Sequence, residues 1–159
     1  MRVLGVDPGT SVTGYGVIET GNGGAPGIGR LVECGVIRFE RGSSLPQRLQ
    51  ELHAHIADLI ARHHPHTLAL ETAFYHKNAR TTLVLGHARG VILLAAQQAG
   101  LDIAHYPPAR VKNTVTGAGG ASKGQVGVVV ARLLKLQHAP TPADAADGVA
   151  VALTHILRA

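Results

Sequence analysis

The chain has 159 residues, is 45% hydrophobic, and carries 15 Lys and Arg against 10 Asp and Glu, a formal net charge of +5. That length suits one domain with a real core, and the apolar content argues against a disordered chain. The single cysteine, Cys34, excludes an internal disulfide and fits a reducing compartment. No apolar run reaches the roughly 20 residues of a membrane helix, and the first residues do not read as a signal peptide, so a cytoplasmic chain without a membrane partner is expected.

RVLGVD (Arg2 to Asp7) reads as a buried strand, PGT as a turn, and VTGYGVIE (Val12 to Glu19) as a second strand. GNGGAPGIG (Gly21 to Gly29) is a turn or hairpin tip, and LVECGVIRF (Leu31 to Phe39) is a third strand. Short connections between them predict an antiparallel meander. Ser44 and Gln47 form a capping box ahead of an apolar stripe, Leu45, Leu49, Leu52, Ile56, Leu59 and Ile60, which predicts a helix ending at HPHT. TLALE (Thr67 to Glu71) is a fourth strand and TAFYHKN a loop. From Ala79 to Gln98 a long helix is expected. Its middle is apolar over more than one face, which calls for cover on two sides. Gly86 and Gly90 would admit a close backbone there, such as a subunit partner's.

DIAHY (Asp102 to Tyr106) is a fifth strand, and PPARVKNTV opens a short helix on proline. After GAGG, another helix is expected from Ser122 to about Gln137, then a linker, then a closing helix with Thr141 as its cap and Pro142 as its first residue. The order β-β-β-α-β-α-β-α-α-α predicts an α/β fold. One mixed five-stranded sheet, a three-strand antiparallel meander plus parallel strands, would carry helices on both faces, all within a single domain over 1–159.

Between Thr72 and Ala143 the basic residues are Lys77, Arg80, Arg89, Arg110, Lys112, Lys123, Arg132 and Lys135, and Asp102 is the one acid. An uneven but ordinary surface is one account; a polyanionic partner is the other. Four carboxylates stand out against this background. Asp7 ends the first strand and Glu71 the fourth, and ligands of open sheets gather at strand ends. Asp144 and Asp147, three residues apart, share one side of the closing helix. Each has a plainer account: Asp7-Pro8-Gly9 is good turn chemistry, Glu71 can mark where the sheet meets water, and Asp144 completes a T-x-x-D capping box with Thr141. Asp147 lies beyond the first turn and has no such excuse. Carboxylates brought together repel unless protons or cations intervene, and Mg²⁺ is commonly held by carboxylates with phosphate oxygens.

The stretches GVDPGTSVTGYGVIE, LALETAFYHKNARTTLVLGHARGVILLAA, VKNTVTGAGGASKGQV and ADAADGVAVALTH together resemble, in order and over nearly the whole chain, a RuvC-type Holliday-junction resolvase. These are crossover junction endodeoxyribonucleases of the RNase H-like superfamily. The resemblance implies an RNase H-like fold and an acidic quartet of Asp7, Glu71, Asp144 and Asp147. It implies Mg²⁺, two ions per site with Mn²⁺ a plausible substitute, and nicks that leave a 5′-phosphate. It further implies a homodimer cutting four-way junction DNA in recombination and repair, beside the branch-migration proteins RuvA and RuvB. Lys112 and Lys123 match family lysines. An arginine that some members place three residues before Lys112 is replaced by Ala109, and Arg110 follows it.

Lys123 follows Ser122, the cap of an S-x-x-Q box with Gln125. A lysine in a first helical turn opposes the helix dipole unless an anion such as phosphate joins it; the alternative is a solvated side chain. Phe74 is either core or a wedge against an unstacked base. Lys77, Asn78 and Arg80, in and after the same loop, are expected to meet DNA, the basic ones holding phosphates. His63, His64 and His66 read as a loop rather than a metal site. Two enzymatic rivals share features: a ribonuclease H-like nuclease on other substrates, and an actin-like phosphate-binding lobe suggested by GVDPGTSVTGYGV, for which one lobe is too few. A non-catalytic junction-binding protein is the third, and it would tolerate loss of the carboxylates.

Overall fold

The computed structural model describes residues 1–21, 27–72 and 77–158. Five strands, β1 (Arg2–Asp7), β2 (Val12–Glu19), β3 (Arg30–Arg38), β4 (Thr67–Glu71) and β5 (Asp102–Tyr106), form one sheet in the order β3-β2-β1-β4-β5. β1 to β3 form the antiparallel meander, and β4 and β5 add on in parallel to β1. The helices are α1 (Leu45–His63), α2 (Ala79–Gln98), α3 (Pro108–Thr116), α4 (Lys123–Leu133) and α5 (Ala143–Arg158). The expected mixed sheet with helices on both faces is what forms.

Strand alternation sorts β1 and β4 between two cores. Leu4, Val6, Leu68 and Leu70 point toward α1 and α2, packing with Leu52, Ile56 and Ile92. Val3 and Ala69 point the other way, onto α5 with Val126 and Val130 of α4 and Val111 of α3. α5 supplies most of that second core: Val149, Ala150, Val151, Ala152 and Leu153 are fully buried. No helix among the described residues is long and apolar enough to cross a membrane.

Both expected capping boxes form. Ser44 N–H donates to Gln47 Oε1 at 2.8 Å, and Ser122 N–H donates to Gln125 Oε1 at 2.8 Å. Three boundaries differ from expectation. β3 ends at Arg38, and Phe39 instead packs against the α1/α2 core. α4 stops at Leu133, short of Gln137, because Lys135 turns left-handed with φ 55°. Leu136 N–H then donates to Ala131 O at 2.8 Å and Lys135 N–H to Arg132 O at 3.3 Å, the bond pair of a Schellman stop. α5 starts at Ala143, so Pro142 lies outside it, and the Asp144 carboxylate pairs with Lys123 rather than serving a Thr141 box.

At the β3 edge, Glu33 gathers three donors. Arg62 Nη1 lies 2.8 Å from Oε2, His63 Nε2 lies 2.5 Å from Oε2, and Tyr15 Oη donates to Oε1 at 2.9 Å. The Tyr15 ring lies across Gly35, where a Cβ would sit 2.8 Å from the phenol oxygen. The Arg62 hydrogen bond, outweighing burial and helped by His63 and Tyr15, holds the Glu33 carboxyl down to about 2 from its ordinary 4.5. A depressed carboxyl stabilises the fold above its unfolded value, and that contribution fades as pH falls from about 4.5 toward 2. Glu33→Gln is expected to cost about 1–2 kcal/mol at pH 7, read as a melting temperature several degrees lower. The gap to the parent should close as pH approaches 2. A gap that stays constant from pH 7 to 2 would mean that the charge of Glu33 is not what ties α1 to β3.

Candidate active site

β1 and β4 run parallel with Val6 opposite Leu70, so the next residue of each strand, Asp7 and Glu71, leaves the sheet beside the other. Alternation puts both on the α5 face, the side of Val3 and Ala69. Their side chains are close enough to act on each other's ionisation.

α5 brings the other pair, and glycines bring α5. A Cβ on Gly14 would fall inside the Asp144 carbonyl, one on Gly5 would overlap the α5 backbone at Gly148 and Ala152, and one on Gly16 would lie 2.6 Å from Val149 Cγ2. From the other side, a Cβ on Gly148 would overlap the β2 backbone at Tyr15. Gly14 is also the β2 partner of Asp7. Helix and sheet therefore touch backbone to backbone, and this contact delivers the first turns of α5 to the strand ends. This packing track was missed in the sequence, although the alternate glycines of VTGYGV are its signal: glycine within a strand often marks a close backbone approach.

Lys123, first residue of α4, reaches across to α5. Its Nζ lies 3.2 Å from Asp144 Oδ1 and 3.0 Å from Asp147 Oδ2. Hydrogen bonding to Asp147 first, and then to Asp144, pushes the lysine pKa up. The acid pair offsets the unfavourable helix-dipole position of Lys123, so no phosphate is needed to explain it. Asp7 is pushed up to about 8, by burial above all and then by the charges of Glu71 and Asp147. Glu71 is also raised, by burial first and then by Asp147, with Lys112 and Lys123 acting in the opposite direction.

These observations bear on a cation. The donor set is four carboxylates, the oxygen chemistry that hard divalent ions select. Two of the acids are raised, by burial first and then by neighbouring carboxylates, and the other two already clasp a positive charge, that of Lys123. Among the described residues, no three His, Cys, Asp or Glu side chains form a ready-made metal cage. The site matches a divalent ion in chemistry and charge, with Lys123 standing in the acid pair.

The remaining expected residues spread outward. Lys112 is half-buried on α3, with its charge acting on Glu71. Lys77 and Arg80 are exposed where the chain enters α2. Asn78 caps α2, its Oδ1 accepting from Arg80 N–H at 2.9 Å and Thr81 N–H at 3.3 Å; that cap role was not foreseen. Phe74 lies outside the described residues. Arg110 shares a surface recess with Asn113, Thr114 and Arg158. Arg158 ends α5, about 20 Å along the helix from Asp144, so Arg110 does not take up a place in the acid cluster.

A protein-family model described as crossover junction endodeoxyribonuclease RuvC matches residues 3–155. The chain belongs to the RuvC family. A relative from Halorhodospira halophila, named crossover junction endodeoxyribonuclease RuvC, is 48% identical over 154 residues, 97% of this chain and 89% of that one. A second of the same name, from Pelotomaculum thermopropionicum, is 47% identical over 156 residues, 98% and 92% of the two chains. The solved structure of Thermus thermophilus RuvC superposes with a TM-score of 0.87 at 33% identity, covering 99% of this chain and 94% of that one. A T. thermophilus RuvC structure in complex with a Holliday junction substrate scores 0.86 at 29% identity, with the same coverage. The yeast mitochondrial Holliday junction resolvase Ydc2, at 14% identity and a TM-score of 0.69, shares the fold. The RuvC family match spans all four carboxylates, Lys112 and Lys123.

Proposed function

We propose that this RuvC-family chain resolves four-way DNA junctions by paired symmetric nicks, through metal-dependent phosphodiester hydrolysis, in DNA recombination and repair. The observation that carries the reading is the convergence of Asp7, Glu71, Asp144 and Asp147 at the strand ends, next to Lys123. Asp7, Glu71, Asp144 and Asp147 would hold the divalent ions, two of Mg²⁺ with Mn²⁺ as a substitute. Such ions supply Lewis acidity toward water and toward the departing 3′ oxygen.

The protein's own groups do the rest. Asp7 and Glu71 are held against each other by the parallel β1–β4 ladder, and their fixed separation orients whatever they bind. Lys123, on a flexible four-carbon stem at a helix N-terminus, offers positive charge to a scissile phosphate. Lys112 lies on the Glu71 side and adds to it. Lys77 and Arg80 are exposed at the start of α2 and suit the phosphate backbone. Phe74, three residues after Glu71 in the sequence, would wedge against a base near the cut.

The T. thermophilus RuvC complex favours a four-way junction as the substrate. A homodimer suits two equivalent strands, and α2 presents a surface for it. Leu83 and Leu94 are 63% and 51% exposed, and added Cβ atoms at Gly86 and Gly90 would meet nothing within 4 Å. RuvA and RuvB are the expected companions. The test is cleavage of labelled junction, duplex DNA and RNA–DNA hybrid, each with Mg²⁺ and with chelator. Paired nicks in the junction alone, lost on chelation, are expected. Preferential cutting of the hybrid would favour the ribonuclease H-like reading, and cutting that persists in chelator would remove the metal from the mechanism.

A further inference from the structure

Lys123 stands where a positive charge is wanted. Its ammonium is 3.2 Å from one carboxylate of α5 and 3.0 Å from the other, so it is the counter-charge of half the acid cluster. Asp147 is 15% exposed, whereas the lysine side chain is 61% exposed. The clasp is thus most open to solvent on the lysine side, partly open at Asp144, which is 38% exposed, and closed at Asp147. An ammonium makes such a pair tolerable much as a cation would, but it is monovalent and tethered.

Among the described residues, the two aspartates are what hold the ammonium there. The chain before it is open at Gly117, with φ 80°, and at Gly120, where an added Cβ would meet nothing within 4 Å, while Ala121 anchors it in the core. The backbone of residue 123 itself is fixed, because Ser122 and Gln125 close their capping box around it. Lysine stems rotate freely about four carbons, so Nζ can leave the aspartates while α4 stays put.

We propose that Lys123 is an exchangeable placeholder: in the ion-free protein its ammonium occupies the Asp144/Asp147 clasp, and a divalent ion binds there only by displacing it. The inference rests on the metal-site reading above. Two consequences follow. The lysine acts as a competitor, so the apparent metal affinity is the intrinsic affinity scaled down to the fraction of molecules whose clasp is open. Displacement also turns an ammonium held by the protein into one directed to solvent, at the helix N-terminus where a phosphate is favoured. Metal loading and the availability of Lys123 to DNA are then one event. A site without an ion keeps its lysine to itself.

The test needs no DNA. Mn²⁺ binding to the full chain is measured by the loss of free-ion electron paramagnetic resonance signal, with melting curves in chelator, for the parent, Lys123→Gln and Lys112→Gln. Lys112 also places charge on the cluster, at Glu71, but is not in the clasp, so it reports the general field effect of removing one positive charge. Expected for Lys123→Gln are a lower melting temperature in chelator and Mn²⁺ binding about tenfold tighter than the parent's. For Lys112→Gln a change of no more than about two- to threefold is expected. Unchanged or weaker binding by Lys123→Gln, or equal tightening by both variants, would overturn the placeholder while leaving the metal site standing. Absence of Mn²⁺ binding from all three chains would remove the metal reading itself, and the placeholder with it.

Discussion

An Asp7→Asn chain is expected to bind a four-way junction like the parent and to cut it at least about a thousandfold more slowly, the equivalent of about 4 kcal/mol of barrier. The reason is geometric and electrostatic. Asp7 is the one acid under the influence of both Glu71 and Asp147, so it is the hinge of the quartet, and a carboxamide there keeps the shape while withdrawing a ligand charge. Loss of Lewis-acid assistance costs several kcal/mol. The same replacement removes a group whose charged form is already disfavoured by burial and by two neighbouring carboxylates. In chelator, the variant should therefore melt no lower than the parent. Cleavage of a labelled junction with Mg²⁺, binding by gel shift in chelator, and melting curves read the three quantities. Cutting at the parent rate would remove Asp7 from the chemistry. A large drop in melting temperature would recast Asp7 as a structural turn residue, the role its Pro8-Gly9 context also allows.

Gly14→Ala is expected to break the enzyme from a distance. Its new methyl would fall inside the Asp144 carbonyl, and neither β2 nor α5 can yield easily, since both are backbone. α5 must lift, and Asp144 and Asp147 move with it. Overpacking of this kind costs about 1–3 kcal/mol, read here as roughly 2–12 °C of melting temperature. Cutting should fall by about 10²-fold or more, because a displacement near 1 Å is enough to spoil alignment. Binding to the junction, which draws on the surrounding lysines and arginines, should fall much less. Gly86→Ala is the matched control for stability: it lies in the interior of α2 with open space around it, and alanine there should not destabilise the chain. Parent-like cutting and melting for Gly14→Ala would mean that the helix–sheet contact does not set the site.

The sequence was most legible where neighbours in the chain decide the outcome. All ten elements, both S-x-x-Q boxes and the acid at the end of each inner strand follow from alternation, periodicity and capping chemistry, which act within a few residues. It was least legible at boundaries where the chain stops helix by backbone conformation. Lys135 adopts the left-handed turn that ends α4, and no residue type there announces it. The polar network of Glu33 with Arg62, His63 and Tyr15 was also unread, since its members span positions 15 to 63 and meet only through β2, β3 and α1.

By itself, then, the amino-acid order determined which carboxylates sit at element ends and that Asp144 and Asp147 share a helix face, and its likeness to a family supplied the role proposed for them. Only the tertiary structure decided how closely they meet. The strand order β3-β2-β1-β4-β5 sets β1 against β4, glycines at the sheet surface let α5 descend to backbone contact, and Lys123 ends up in the acid pair while Arg110 lies toward the other end of α5. Local preferences depend on adjacent residues and can be read along a line. Distances between elements depend on which side chains stand between the layers, and the absence of a methyl group at Gly14 carries as much of the site as the presence of a carboxylate.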